Sequence, residues 1–422
     1  MMFRSSHSSP ISKVSHEDTT LFLVLKEHFG SHFNKARIKL ISMFILSLVK
    51  VQTVNFNRLS NSFDSNSKSD SSLRRIQRFF ASYVFDIDLI SKILYNLIPK
   101  EAKHGLTMDR TNWKIGETNI NILVIGIIYE GLAFPVLFTM MPKFGNSNCN
   151  ERIAIMEKYD KLFGFDSIDY LVADREFIGE KWLGYLNRNH IKYHIRIRDN
   201  FKVFKNRNAK SLRAEWFFTA LKLGEFTHHP KIVYINNVAC YLSASVIKSK
   251  TGKPEFQFLI SFNNPSKSKE CYKKRWQIET MFKALKSSGF NIEKTHLQDI
   301  ERIEKLVALV FIAFVWCYKV GIQIVFNNRL SEIAAKNTKN DILAEVERFQ
   351  NQFIIQNNNI DQIKHIINLD EDKIKKEVTK NPVAVDHRKV EDHSGERDLV
   401  DTFEKNFNEI RADFNKFAAK WM

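Results

Sequence analysis

Residues 272–286 read Tyr-Lys-Lys-Arg-Trp-Gln-Ile-Glu-Thr-Met-Phe-Lys-Ala-Leu-Lys. At about 100° per residue, a helix through this stretch carries Tyr272, Arg275, Glu279 and Lys286 within roughly a 60° arc. Ile278, Met281 and Leu285 fall on an adjacent apolar face able to dock on a sheet. One side of the helix therefore packs, and the other presents a carboxylate flanked by two cations and a phenol. An i,i+4 ion pair explains Arg275 with Glu279. It does not explain Tyr272 and Lys286 on the same stripe.

Upstream the pattern is that of strands. Gly105 to Asp109 is apolar and ends on a carboxylate, and Asn121 to Tyr129 with Leu132 to Met141 reads as a hairpin about Glu130-Gly131. A helix over Asn150 to Phe163 leads to a short strand, Tyr170 to Asp174, which again ends on an acid. A helix over Phe177 to Asn189 and a strand over Lys192 to Arg198 follow. Three strands, a helix, a strand, a helix and a strand predict an α/β architecture around a mixed sheet. Asp109 and Asp174 thus stand at strand ends, where a ligand can reach a carboxylate. Asp199 also follows a strand and competes for the same role. Three acids gathered in a basic protein call for a divalent cation, and oxygen ligands suit Mg²⁺ or Mn²⁺ rather than zinc. Two such ions activate a water or a 3′-hydroxyl and stabilise the leaving oxygen of a phosphodiester. Cations beside the carboxylates then grip the flanking phosphates.

With these residues assembled, the chain resembles the DDE transposases of bacterial insertion sequences, in the group marked by Tyr-x2-Arg-x3-Glu-x6-Lys. Tyr272, Arg275, Glu279 and Lys286 keep every spacing of that signature. Asp109-Arg110-Thr111-Asn112-Trp113 and Asp174-Arg175-Glu176-Phe177 resemble the blocks holding the family's first and second catalytic aspartates. The resemblance covers roughly residues 20–325 and selects Asp174 over Asp199. It implies a ribonuclease-H-like fold, Asp109, Asp174 and Glu279 as catalytic residues and ligands of two Mg²⁺ or Mn²⁺ ions, and Tyr272, Arg275 and Lys286 as contacts to terminal phosphates. It also implies strand cleavage and transfer at terminal inverted repeats, with duplex DNA and target DNA as partners and a homodimer in the DNA complex. The 105 residues from Asp174 to Glu279 are too many for a compact version of that fold. A strand-rich block over about 200–262 fills the gap as a β-rich insertion. Some relatives stack a flipped base on an aromatic there; Trp216, next to Arg213, is the candidate, against the commoner reading of a core tryptophan.

Towards the N-terminus the periodicity is helical from Leu21 to about Lys100, with an amphipathic helix over Lys39 to Val51 and a Ser/Asn/Asp-rich loop over Asn61 to Ser72. Residues 1–100 hold 14 basic and 7 acidic side chains, a net +7. Arg74, Arg75 and Arg78 expose at least two guanidiniums on one helix face, as expected of a DNA-binding segment. The expected organisation is a flexible leader (1–20), a helical DNA-binding domain (21–100), a catalytic domain in two pieces (101–200 and 263–326), the insertion (201–262) and an acidic helical tail (327–422).

Composition agrees. The chain of 422 residues carries a net charge of +17, and strongly basic chains meet polyanions. Four scattered cysteines exclude a disulfide scaffold and fit a reducing, cytoplasmic setting. The apolar run from Leu306 is interrupted by Lys319 and Gln323, which fits a buried core helix and not a membrane span. Gly252-Lys253 is followed by Pro254, so no phosphate-binding loop for ATP is present. Beyond about Asn327 the chain no longer follows the family pattern. Its acidic tail leaves open a second reading, a relative that binds element ends without transposing. Val346, Phe353, Ile360, Ile367 and Ile374 recur every seven residues, with Phe349 and Ile363 at matching positions. That seam fits either self-association or one helix packed on the body.

Overall fold

The computed structural model describes residues 16–349 apart from short breaks at 66, 99, 116–117, 142, 144, 250–251, 287–288, 337–338 and 340, then 352 and scattered positions between 402 and 420. Two compact units result, one ending at Cys317 and one beginning at Tyr318.

The first unit opens with five helices: α1 (His16–Phe29), α2 (Lys35–Val51), α3 (Phe56–Asn61), α4 (Ser69–Ser82) and α5 (Ile87–Leu97). Of the leader expected over 1–20, residues 16–20 belong to α1, and 1–15 lie outside the described residues. Side-chain oxygens of Asn34, Asn55 and Asp86 accept the first free amides of α2, α3 and α5, the role these short polar residues favour at helix starts. The loop expected over Asn61 to Ser72 is also shorter than predicted, since α4 begins at Ser69 with Asp70 in its first turn. A carboxylate there complements the helix dipole. Phe44, Phe56 and Phe80 pack in a ring cluster with centroids 4.8–6.1 Å apart.

The sheet follows: β1 (His104–Ile115), β2 (Thr118–Tyr129), β3 (Leu132–Met141), α6 (Cys149–Phe163), β4 (Ile168–Ala173), α7 (Glu180–Arg188) and β5 (Tyr193–Ile197). This is the predicted order of elements. Glu130 and Gly131 turn β2 into β3 with φ of 44° and 85°, the left-handed pair that a tight hairpin requires. A capping box fixes the start of α6: Asn148 and Glu151 exchange backbone and side-chain hydrogen bonds.

After a small pair, β6 (Lys202–Val203) with β7 (Leu212–Arg213), come β8 (Phe226–His228), β9 (Val233–Ile235), β10 (Val238–Lys248) and β11 (Pro254–Phe262). Among the described residues the main sheet has nine strands, in the order β3-β2-β1-β4-β5-β11-β10-β8, with β9 on β10. β1, β2 and β3 are antiparallel, and β1, β4 and β5 are parallel. That core order is ribonuclease-H-like. The insertion does not merely fill a gap: β11 pairs antiparallel with β5 and extends the same sheet. Then come α8 (Ser268–Lys273), α9 (Trp276–Lys286) and α10 (Ile300–Lys336). α10 is apolar through its middle, with Leu306 to Val315 buried. No helix among the described residues is long and apolar enough to cross a membrane.

Gly105 allows β1 to lie against β4. A Cβ at this position would meet the Tyr170 ring at 2.5 Å, and Tyr170 is itself buried. Gly105→Ala is therefore expected to cost about 1–3 kcal/mol, read as a lower midpoint in urea unfolding; an unchanged midpoint would mean the ring gives way freely.

The second unit has its own core. Val346 and Phe349 pack with Leu330, Ile333, Ile342, Phe414 and Ala418, and the rings of Phe349 and Phe414 lie 5.4 Å apart. The first two seam positions are thus engaged within one chain. Phe353, Ile360, Ile363, Ile367 and Ile374 lie outside the described residues.

Candidate active site

Sheet register brings two of the acids together. β1 and β4 run parallel with Met108 opposite Ala173, so Asp109 and Asp174 each follow one member of a paired couple. Asp174 ends its strand as expected, but Asp109 lies mid-strand, because β1 runs on to Ile115 beside β2 after its pairing with β4 stops. Each carboxylate accepts its successor's amide, Arg110 N and Arg175 N, at 2.7 Å. Asp199 stands exposed in the turn after β5.

The signature segment departs from the straight helix expected over 272–286. It is two helices, α8 and α9, joined at Lys274-Arg275 by tight bonds in which Arg275, Gln277 and Ile278 donate to carbonyls three residues back. Such a 3₁₀-like turn rotates the faces away from the 100° repeat. The reason is tertiary. α8 docks on β4, β5 and β11, whereas α9 docks on β1 and β3, burying Ile278, Met281, Phe282 and Leu285. The break sets Tyr272 of α8 against Asp174 and the junction residue Arg275 against Asp109 and Glu279.

Tyr272 Oη donates to Asp174 Oδ1 at 3.3 Å. Burial pushes the phenol up to about 12, so it stays a donor at neutral pH. Arg275 lies between the other two acids, with Nη1 3.4 Å from Asp109 Oδ2 and Nη2 2.7 Å from Glu279 Oε1. The three carboxylates are thus joined through the signature's own side chains and do not converge directly. Among the described residues no group of three or more His, Cys, Asp or Glu side chains forms a metal-binding cluster.

Burial, aided by the neighbouring carboxylates of Glu176 and Asp174, pushes the Asp109 carboxyl up to about 7, although the Arg110 amide and Arg275 pull the other way. One guanidinium does not satisfy this group. A buried, all-oxygen acid that remains short of positive charge is the kind of donor a hard divalent cation fits.

Lys286 is held differently from its expected partners. Its Nζ donates to the Asn112 carbonyl at 2.7 Å and lies 3.7 Å from Glu293, and burial lowers its pKa. It braces the strand three residues beyond Asp109, and among the described residues its carboxylate partner is Glu293, not Asp109, Asp174 or Glu279.

Two neighbours escaped the sequence reading. Glu176 receives both Nε and Nη2 of Arg110 at 3.3 Å, and Arg110 also donates to Asn121 and Asn146 at 2.8 and 2.9 Å and to Asn112. This lattice fixes the backbone that carries Asp109. Trp276 is 63% exposed and its ring lies 5.8 Å from the Arg275 guanidinium; an apolar residue in the helix's first turn next to a charged stripe was the available signal. Trp216 is 61% exposed, which overturns the core reading. It stands in a short 3₁₀ turn over Ala214–Phe217, and Arg213 beside it pairs with Glu215 at 3.1 Å. On α4, Arg74 and Arg78 are exposed one turn apart and Arg75 is half-buried.

No curated protein matches the chain. A family model described as a transposase DDE domain matches residues 106–316, half of the 422. That span includes β1 with Asp109, β4 with the Asp174 that follows it, and both signature helices. The chain therefore belongs to the family of transposases with a DDE catalytic domain.

Proposed function

We propose that the protein is a metal-dependent transposase that cuts DNA strands at the inverted-repeat ends of an insertion sequence and joins them to target DNA. The observation that carries this reading is Arg275 bridging Asp109 and Glu279 while Tyr272 holds Asp174. An ordinary surface ion pair would not recruit all three acids of one motif. Asp109, Asp174 and Glu279 would hold two Mg²⁺ or Mn²⁺ ions. When bound, the ions supply the charge that activates a water or 3′-hydroxyl and stabilises the leaving oxygen. Tyr272 and Arg275 orient the carboxylates and offer donors to a phosphate that approaches them. The Arg110–Glu176 pair keeps Asp109 in place.

Recognition falls to other surfaces in this reading. Residues 21–100 form the DNA-binding domain, with Arg74 and Arg78 as its exposed cations and Arg75 behind them. Trp216, at the surface of the insertion, offers a flat apolar face to a displaced base. The catalytic domain takes 101–200 and 263–326, the insertion 201–262 and the acidic tail 327–422. Two copies pair two DNA ends, in the cytoplasm at the nucleoid.

The test is incubation of the full chain with DNA carrying the host element's termini. Nicks at the repeat boundary with Mg²⁺ and none with a chelator are expected. Binding without cleavage under both conditions would favour the end-binding relative. Lys286→Ala is expected to flatten the salt dependence of binding by about one unit of log–log slope if Nζ reaches a phosphate. An unchanged slope with a lower melting temperature would mark it as the brace of Asn112 alone.

A further inference from the structure

A cleft of about 780 Å³ lies in the first unit between α3, α4 and the segment leading into α10. Its floor is apolar: the half-buried Phe56, Leu73 and Leu297, backed by the buried Phe80. Its rim is cationic, with Arg74 and Arg78 from α4 on one side and His296 and Arg302 on the other, and none of the lining residues is acidic. Arg74, Arg78, His296 and Arg302 are all exposed.

The walls are tied together across some 240 residues of sequence. Asn55 Nδ2 donates to His296 Nε2 at 3.4 Å, Asn291 Nδ2 donates to the Gln52 carbonyl at 2.9 Å, and the buried Lys305 donates to the Phe80 carbonyl at 2.9 Å. A cavity held open by three cross-links is preformed, so little ordering cost attends binding.

We propose that this cleft receives one unpaired nucleotide of a bound DNA strand, with its base on the apolar floor and the flanking phosphates on Arg74, Arg78 and Arg302. The inference rests on the transposase reading for the identity of the polyanion. The shape supplies the rest. A duplex keeps its bases stacked inside a convex, charged surface, so it would leave the phenylalanine floor empty. A base out of the stack brings a flat apolar face together with two phosphates, which is the pairing this floor and rim offer. His296 and Arg302 are the new members of the DNA-contacting set, and they come from the chain that leaves the catalytic site.

The test uses the full chain and fluorescence anisotropy at physiological salt, comparing a blunt duplex with the same duplex bearing a three-nucleotide single-stranded tail. The tailed DNA is expected to bind about five-fold tighter or more. Arg302→Ala and Gln77→Glu, the latter placing a negative charge on the exposed rim, are each expected to erase that preference. Equal affinity of the wild-type chain for both DNAs would overturn the proposal, as would a preference that survives both substitutions. A wild-type chain that prefers the tail but never cleaves element ends would sink the transposase reading and leave the cleft's nucleotide site standing.

Discussion

Asp109→Asn, Asp174→Asn and Glu279→Gln are each expected to lower strand cleavage by at least roughly a hundred-fold while leaving affinity for terminal DNA nearly intact. The amides keep the shape of the side chains and their hydrogen bonds, so Tyr272 and Arg275 still have oxygens to meet. What they forfeit is charge. Gel analysis of strand breaks with Mg²⁺ and a mobility-shift measurement on the same DNA separate the two effects. Mg²⁺-dependent cleavage near the wild-type rate in any one of the three would remove that residue from the catalytic set.

The second large effect is on stability. The Asp109 carboxyl is raised from 3.8 to about 7 in the fold. A carboxyl with a raised folded pKa binds its proton more tightly in the native state than in the unfolded chain. Stability must then fall as pH rises from about 4 to about 7 and level off above, at a cost on the order of 4 kcal/mol once the group is charged. In chelator, Asp109→Asn should lack this slope. The variant should match the wild type near pH 4 and exceed it at pH 8, as measured by urea unfolding. Added Mg²⁺ should narrow the gap at pH 8 by stabilising the wild type alone. A variant less stable than the wild type at pH 8 would show that Asp109 is needed as the partner of Arg275 for folding. The same substitution is thus expected to strengthen the fold and disable the reaction.

Much of this was readable from residues. The order of strands and helices from β1 to β5 follows from runs such as Tyr170 to Asp174 bounded by acids and turns, because strand period and helix period differ plainly over those lengths. Tyr272, Arg275 and Glu279 stood out by their spacing, but Asp109 was legible only as an acid expected to end a strand that in fact runs on to Ile115, and Asp174 was separated from Asp199 by the family resemblance alone. The break at Lys274-Arg275 was not. Nothing local forbids a continuous helix there; the two docking surfaces on β4/β5/β11 and on β1/β3 impose it. The place of Arg275 between Asp109 and Glu279 was equally hidden, since linear spacing gives a face and not which side chain lies innermost. The bridge from Arg110 to Glu176 spans 66 residues, and no periodicity reports a contact of that range. Trp216 misled because tryptophans are usually well covered.

The pairing of β5 with β11 has a consequence for how the chain matures. Arg196 on β5 meets Leu259 on β11, a separation of 63 residues, so the ladder on that side of β5 closes only after the whole intervening segment has been made. A nascent chain that has emerged through Ile197 presents β5 as an open edge beside an already assembled β1–β4 core. Long-range pairings of this kind form slowly, and an open edge recruits other strands in the interval. Premature termination anywhere between 198 and 253 would leave that edge uncapped for good. Such fragments are expected to be collected as aggregates and not as soluble, partly active domains.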